Sequence, residues 1–452
     1  MTVDTCRQFV SLDSSPGQGT GAVVAYAAEL CRANGWDTLV YDEVTAIASE
    51  NPDAREVNLV VRPLGAVAGP ELMLQTHLDT PDPGPFGLWS RTGHNPFEAH
   101  IIEGRIYGLG TADVKLDFLC KMEALKRLGS QKWRHTPVLV GTFGEELGMI
   151  GALRLIRKNR VKAKWALIGE PSGGHLIVAG KGIATVEIRV PFESDEMKFR
   201  AEHDLTESSA TQSRIFNGKA VHSSTPQLGD SAILKMLSYL SQLPENLTIM
   251  DIGGGVNFNT VPARAFLEIE PISGHRLPMA QKLNQIYQGI CELDEAFRQF
   301  EDPRFTPSSP TLNVGLIRCF EDHVLLSGNC RITPNVGAAQ YEAWMKSLSQ
   351  RCSAVGAVLR VSDYKRPFLT DETSSFVTGA LAELRLQRPQ ARLVTQSSTN
   401  EASLFSRVGV ECLCFGPGER ENNIHTPDES VSLDDLESAV HFYEGMIRRI
   451  CL

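Results

Sequence analysis

Residues 1–175 alternate between two hydrophobic patterns. Short continuous apolar runs, such as NLVVRPL at 58–64 and PVLVGTF at 137–143, are typical of strands that are buried on both faces. Between such runs lie segments with a helical period, such as DFLCKMEALKRLGS at 117–130. Buried strands separated by amphipathic helices indicate an α/β fold, in which a mostly parallel sheet is sandwiched by helices.

The pattern changes near residue 180. Strands there alternate between apolar and polar positions, as in GIATVEIRV at 182–190 and AFLEIEPI at 265–272. Helical stretches come between them, SAILKMLSYLSQL at 231–243 and YEAWMKSLSQRC at 341–352. This region predicts an α+β domain, an antiparallel sheet with helices on one face.

The first pattern returns after about residue 366. TSSFVTGALAELRL at 373–386 and SLDDLESAVHFYEGMIRRI at 432–450 read as helices, the second with Ser432 as its N-cap. An α+β domain therefore interrupts an α/β domain. We predict an outer domain of residues 1–179 and 366–452 and an inserted lid or dimerisation domain of residues 180–365. Within the insert, the polar and aperiodic segment 191–214 predicts a long loop.

Composition excludes several classes of partner. Lys plus Arg is 44 and Asp plus Glu is 54, which gives a net charge of −10, and no basic cluster is present that would bind nucleic acid. The first fifteen residues lack the basic and apolar regions of a signal peptide, and no stretch has the length of a membrane span. We therefore expect a cytoplasmic protein, without nucleic-acid or membrane partners, whose ten scattered cysteines are reduced thiols.

Polar residues cluster just beyond the ends of the apolar runs. The carboxyl ends of strands in an open α/β sheet form the crevice where ligands bind. Residues expected at this edge are His77, Asp79, Asp113, Glu145, Glu146, Glu170 and His425.

Carboxylates that converge in this way, here beside two imidazoles, repel one another unless cations lie between them. Histidine nitrogen and carboxylate oxygen suit a pair of divalent ions such as zinc, roughly 3.5–4 Å apart with one bridging carboxylate. The adjacent pair Glu145 and Glu146 then has an explanation, because one glutamate can bind metal while the other takes a proton from water. This arrangement predicts hydrolysis of an amide or similar acyl bond.

The motifs HLD, GTAD, GEE, GEP and NNIHTPDE occur in that order along the chain. Together they resemble the M20-type dinuclear zinc amidohydrolases and exopeptidases. The likeness covers most of the chain and is weakest at 190–215 and 275–310. Within the family, YGLGTADVKLDF, ALIGEP followed by KG, Asn400-Glu401-Ala402 and FGPGERENNIHTPDE most resemble acetylornithine deacetylases.

The resemblance implies a role for each metal-site residue. His77 and Glu170 would bind one ion, His425 and Glu146 the other, and Asp113 would bridge the two. Zinc is the expected metal, although cobalt and manganese suit the same ligands.

Further roles follow from the same resemblance. Glu145 would be the general base, and the Asp79 carboxylate would accept the second ring N–H of His77. A cis peptide bond would follow Asp113. One departure from the family pattern is Leu116, which replaces the usual glycine after the lysine of the ADxK motif.

Three residues of the predicted lid also match family positions. His222 in GKAVHSSTP would polarise the scissile carbonyl, reaching across a homodimer into the partner's site. Asn259 in NFNTVPARA and Arg331 in GNCRITP would bind substrate, Arg331 through a substrate carboxylate.

These expectations define an enzyme that removes an N-acyl group from an amino acid, a small-molecule substrate. Two other activities use the same metals and base, namely those of a dipeptidase or carboxypeptidase and of a succinyl-diaminopimelate desuccinylase. A non-catalytic small-molecule-binding protein on the same scaffold is the alternative from another class. Such a descendant is expected to have lost ligands or the base, whereas every position is filled here.

Overall fold

The protein divides into two compact units. The computed structural model describes residues 1–45, 54–202, 212–244, 247–271 and 278–452. The first unit comprises Met1–Ala179, Phe368–Thr395 and Asn400–Leu452, and the second comprises Gly180–Pro367 and Gln396–Thr399. The segment Gln396–Thr399 groups with the second unit, although its sequence suggested the outer domain.

Both units contain α-helices. They are α1 (Val3–Ser11), α2 (Gly21–Ala33), α3 (Lys115–Leu128), α4 (Ile150–Arg157), α5 (Ser194–Glu202), α6 (Ala232–Leu240), α7 (Met279–Arg298), α8 (Ala338–Ala354), α9 (Ser375–Gln387), α10 (Ala402–Phe405) and α11 (Leu433–Cys451). The predicted N-cap of α11 is confirmed, because the Ser432 hydroxyl accepts the main-chain N–H of Asp435 at 3.1 Å.

The strands fall into three sheets. Those that precede the second unit are β1 (Asp37–Thr45), β2 (Arg55–Arg62), β3 (Glu71–His77), β4 (His100–Ile102), β5 (Arg105–Tyr107), β6 (Thr136–Thr142), β7 (Ala163–Ile168) and β8 (Leu176–Gly180). Those of the second unit are β9 (Gly182–Pro191), β10 (Gln212–Asn217), β11 (Leu247–Gly254), β12 (Arg264–Pro271), β13 (Thr311–Cys319), β14 (His323–Ile332) and β15 (Val358–Lys365). After them come β16 (Phe368–Leu369), β17 (Leu393–Gln396), β18 (Glu411–Cys414) and β19 (Ser430–Ser432).

The main sheet of the first unit has the order β1-β2-β6-β3-β7-β18-β8-β16, with β17 beside β8. Its central strands β6, β3, β7 and β18 are parallel, and antiparallel pairings occur towards the flanks. A small antiparallel sheet, β19-β5-β4, lies apart from it. The parallel centre places the carboxyl ends of four strands at one edge.

Both faces of this sheet are covered, as the continuous apolar runs predicted. Every residue of β3 is buried. Leu72 and Leu74 pack into a core with residues of α2, α3, α9 and α11, whereas Met73 packs on the other face with residues of α4 and α10. The sandwiched α/β fold is therefore confirmed. Leu116, the departure from the family pattern, is fully buried in the first of these cores.

The second unit contains the predicted antiparallel sheet, in the order β10-β12-β11-β13-β14-β9-β15. Alternate residues of β9, from Ala184 to Val190, pack with α6, α7 and α8 into a single core. Helices therefore cover one face of the sheet, which confirms the α+β prediction. None of the helices in the described ranges has the length and apolar character needed to cross a membrane.

The predicted loop at 191–214 is wrong over two stretches. Residues Ser194–Glu202 form α5, and residues from Gln212 onward belong to β10, while 203–211 lie outside the described residues. Helix α5 buries few apolar side chains, but Arg200 donates to the main-chain oxygens of Ile249 and Met250 at 2.5 and 3.1 Å. These tertiary contacts stabilise a helix that has almost no hydrophobic periodicity.

Candidate metal centre

The predicted site residues of the first unit follow strand ends that share one edge. His77 is the last residue of β3, and Glu170 comes two residues after β7 ends at Ile168. Glu145 and Glu146 come three and four residues after the end of β6. Because β3, β6 and β7 are parallel neighbours, their ends bring these side chains to the same side of the sheet.

Asp113 lies between two imidazoles. One of its carboxylate oxygens is 3.2 Å from Nε2 of His77, and the other is 3.3 Å from Nε2 of His425. The peptide bond from Asp113 to Val114 is cis, as the family resemblance implied. Glu429 accepts the main-chain N–H groups of Ala112 and Asp113 at 2.8 and 3.0 Å, which holds this segment in place.

Glu146 completes a group of three possible ligands. Its Oε1 is 3.0 Å from Nε2 of His425. One ligand atom from each of Asp113, Glu146 and His425 lies within 4.8 Å of the others, and this is the one such group found among the described residues. The structure therefore brings together the ligand set predicted for one of the two ions.

A side-chain amide organises the loop that presents His425. Asn423 donates to the main-chain oxygens of Glu419 and Ser430 at 2.8 and 2.9 Å, and its Oδ1 accepts the Ser430 N–H at 2.9 Å. His425 itself has a φ of 55°, in the left-handed region. The three hydrogen bonds of Asn423 stabilise the turn in which His425 adopts this uncommon conformation.

The charges at this site fit a divalent cation. Burial alone would lower the pKa of His77 and of His425, but their contacts with Asp113 outweigh it, and the pKa of His425 rises to about 11. These raised pKa values favour protonated imidazoles next to the carboxylates. A ligating histidine is neutral and a ligating carboxylate is ionised, so a divalent ion bound here would displace those protons. Nitrogen and carboxylate oxygen are ligands that zinc prefers.

The partners predicted for the second ion are less closely gathered. His77 contacts Asp113. In the described part of the chain, however, no choice of one ligand atom each from His77, Asp113 and Glu170 brings all three within 4.8 Å of one another. Its Oε2 is 3.4 Å from Nη1 of Arg420. Arg420 was not among the predicted site residues, although it lies in the GERENN run just before His425. Metal binding by Glu170 therefore stays a prediction.

Asp79 acts differently from the expectation. The His77 Nδ1 is 3.1 Å from the main-chain oxygen of Asp79, whereas the Asp79 carboxylate is 3.8 Å from that nitrogen. The carboxylate instead accepts the main-chain N–H groups of Glu145 and Glu146, both at 3.1 Å. Asp79 thus orients His77 through its main chain and positions both glutamates through its side chain.

Two acids, Glu145 and Glu401, have raised pKa values at the site. Burial and the nearby charge of Glu170 raise the pKa of Glu145 well above its ordinary value. Glu401, which the sequence suggested only through the Asn400-Glu401-Ala402 triplet, is 1% exposed and accepts hydrogen bonds from Gln75 and from Thr142. Burial raises the pKa of Glu401 to about 8.

The remaining predicted residues lie in the second unit. Nδ1 of His222 contacts Ser224 twice, since it accepts the Ser224 main-chain N–H at 3.2 Å and lies 2.7 Å from the Ser224 hydroxyl. Asn259 is held next to this turn, since its main-chain oxygen accepts the Ser223 N–H and its Oδ1 accepts the Asn329 amide. Arg331 is 4% exposed, and its Nη1 lies 3.5 Å from the Thr399 hydroxyl. Burial argues against an ordinary surface cation at this position.

Comparisons with known proteins identify the family of this chain. The sequence profile of peptidase family M20/M25/M40 matches residues 73–449. Acetylornithine deacetylase of Vibrio cholerae serotype O1 is 30% identical over 452 residues, covering 98% of this chain and 94% of that protein. A probable succinyl-diaminopimelate desuccinylase of Staphylococcus aureus is 24% identical over 374 residues, covering 81% and 79%.

Solved structures show the same fold. An M20 family metallo-carboxypeptidase from Sulfolobus solfataricus superposes with a TM-score of 0.64 at 18% identity, covering 99% of both chains. The family match spans the strand ends and the loop that carry the predicted metal-site residues from His77 to His425. This chain therefore belongs to the M20/M25/M40 peptidase family and is an enzyme that acts on amide bonds.

Proposed function

We propose that this enzyme hydrolyses the amide bond of an N-acyl amino acid with two divalent ions, zinc in the first instance. His77, Asp113 and Glu170 would hold one ion, and Asp113, Glu146 and His425 the other. The observation that carries the proposal is the Asp113 carboxylate, which presents one oxygen to each imidazole at 3.2 and 3.3 Å. When bound, the ions would polarise the amide carbonyl and acidify water to near neutrality.

Glu145 is the proposed general base. It would take a proton from the attacking water and deliver that proton to the leaving amine. Its main-chain N–H is hydrogen-bonded to Asp79, which also fixes the neighbouring ligand Glu146. One carboxylate thereby sets the position of both the base and a ligand, so that the two glutamates keep separate roles.

His222 is the proposed donor to the carbonyl oxygen. If Nδ1 accepts the Ser224 N–H, the ring proton would lie on Nε2, which would then donate to the negative charge that develops on that oxygen. For Arg331 we propose a bond to the α-carboxylate of the substrate, and for Asn259 a substrate contact. Both side chains are polar groups fixed by neighbours, which suits recognition of a small charged molecule.

The choice of an N-acyl amino acid rests on the Vibrio cholerae acetylornithine deacetylase, which matches nearly the whole chain. A dipeptidase or carboxypeptidase activity, or removal of a succinyl group, is the second candidate, since relatives with those names share the family or the fold. The metal site and base would serve each reaction, and the substrate pocket would distinguish them.

A substrate panel tests this choice. Metal-stripped protein should show no release of amine until zinc or cobalt is added, and then release it from an N-acetyl amino acid faster than from N-succinyl and N-formyl analogues or dipeptides. Free amine is quantified against each substrate at equal concentration. Release only from dipeptides would reassign the enzyme as a peptidase, and silence across the panel with metal bound would contradict both assignments.

We also propose that the second unit mediates a homodimer in which His222 acts in the partner's active site. Co-expressed His222→Ala and Glu145→Ala chains should then recover about a quarter of wild-type activity, because half of a random mixture is mixed dimers with one intact site. Each variant alone should be nearly inactive. Sedimentation that shows a fully active monomer, or mixed dimers with no recovered activity, would contradict this arrangement.

A further inference from the structure

A buried polar network lies beside the strand ends of the candidate metal centre. Lys121 and Asp117 of α3 and Tyr443 of α11 are all fully buried. The Lys121 ammonium is 2.5 Å from Oδ2 of Asp117, and the Tyr443 hydroxyl donates to Oδ1 of Asp117 at 2.5 Å. Charged side chains are almost never fully buried unless they are paired, and here an ion pair and a phenol form one unit.

The network is bonded to the end of β3. Lys121 donates to the main-chain oxygen of Gln75 at 2.5 Å and is 3.1 Å from the hydroxyl of Thr76. The Thr76 hydroxyl in turn donates to Asp117 at 2.8 Å. Gln75 and Thr76 immediately precede His77, so these bonds restrain the residues that deliver the imidazole.

The same network contacts the ends of β7 and β18. Gly169, next to Glu170, donates its N–H to the Gln75 oxygen at 2.7 Å. A Cβ added at Gly169 would lie only 2.4 Å from the Asp117 carboxylate, so this backbone packs directly against the network. The Tyr443 hydroxyl is also 3.0 Å from the main-chain oxygen of Phe415, the residue that follows the end of β18.

Stability alone gives little reason to place an ion pair here. Burying two charges costs several kcal/mol per ion, and apolar side chains of similar volume often stabilise a core as well or better. The ends of β3, β7 and β18 nevertheless contact the network. The contacts on β3 and β7 come directly before the proposed ligands His77 and Glu170. A rigid hydrogen-bonded unit fixes distances between strand ends that an apolar contact would leave free to shift.

We propose that Lys121, Asp117 and Tyr443 are positioning residues that hold His77 and Glu170 in the geometry of one metal site. The inference rests on the proposed function, because it takes His77 and Glu170 to be ligands. A purely structural role for the network predicts only a loss of folding stability. A positioning role predicts that metal affinity falls even in variants that fold normally.

The test replaces the ion pair as a unit. In the double variant Lys121→Met with Asp117→Leu, no buried charge is left alone, so the melting temperature of the metal-free protein should stay near that of the wild type. Affinity for Zn²⁺ and Co²⁺, measured by chelator competition, should fall about tenfold to a hundredfold at one of the two sites. The visible spectrum of bound Co²⁺ should change at that site as well.

A matched control lies at the other end of β3. Arg62 and Glu71 form an ion pair at 2.9 Å, and Glu71 is the first residue of the strand. The double variant Arg62→Met with Glu71→Leu removes an ion pair from the same strand without touching the end that carries His77. It should leave both metal affinities and the Co²⁺ spectrum as in the wild type.

The results for the wild type and the variants distinguish failure of this inference from failure of the proposed function. Wild-type protein that binds two ions, beside a folded Lys121/Asp117 variant with the same affinities and spectrum, would overturn the inference alone. Wild-type protein that binds no ion would remove the proposed function and this inference with it. Tyr443→Phe, which deletes one hydroxyl, covers the case in which the double variant does not fold. It should fold and still weaken the same site, and unchanged affinity in Tyr443→Phe would count equally against the inference.

Discussion

Replacing Glu145 by alanine is expected to lower kcat about a hundredfold to ten-thousandfold, the range that general acid–base catalysis supplies. The two metal ions should stay bound, because the proposed ligand is the neighbour Glu146, which contacts His425 at 3.0 Å. The main-chain N–H of residue 145, which donates to Asp79, is also kept in the variant. Loss of turnover without loss of metal is therefore the signature of this residue.

The measurement pairs steady-state kinetics with metal analysis of the dialysed protein. Glu145→Gln, which preserves shape and removes the base, should match Glu145→Ala in kcat. Glu146→Ala should instead lose metal, and Glu372→Ala, at an exposed position of the same unit, should behave as the wild type. If Glu145→Ala kept most of the turnover, the mechanism would have to be abandoned.

Hydrophobic pattern was sufficient to place the strand ends. Continuous apolar runs predicted β3, β6 and β7 as buried parallel strands, and polar residues directly beyond a parallel strand must lie at the same edge. The hydrophobic pattern alone therefore predicts that His77 and the Glu145-Glu146 pair lie at one edge of the sheet. The role of Asp113 came from the family resemblance, because its position depends on a loop and not on a strand.

Side-chain contacts were less predictable, because they depend on loop backbone that periodicity does not describe. The Asp79 carboxylate binds the N–H groups of Glu145 and Glu146 because the turn after β6 aims both of them at it. The contact between Arg420 and Glu170 joins residues 250 positions apart in the chain, and no local pattern records it. Helix α7 was not predicted, although its buried residues Leu283, Ile286 and Ile290 have the helical spacing that an amphipathic helix requires.

The Asp113 carboxylate is the proposed ligand of both ions. Asp113→Ala is expected to abolish binding of both ions and turnover with them, because its two oxygens face two different imidazoles, at 3.2 and 3.3 Å. His425→Ala should lose one ion only, since His77 and Glu170 would remain as ligands of the other. Titration of metal-free protein with Zn²⁺ in a calorimeter gives the number of sites and the affinity of each.

The comparison between these two variants isolates the bridging role. Removing a ligand of one ion should abolish one metal site, whereas removing a ligand that both ions share should abolish two. The number of ions bound therefore distinguishes the two roles even when both variants are inactive. Asp113→Asn is the matched control for packing, because it keeps the shape and the main-chain bonds to Glu429. Its neutral amide replaces a carboxylate that would neutralise charge on both ions, and we expect both affinities to fall more than about a hundredfold, beyond the loss typical of an outer partner. If Asp113→Ala bound two ions at wild-type affinity, Asp113 would not bridge them. The contacts of Asp113 with the two imidazoles would then no longer support the proposal of a dinuclear site.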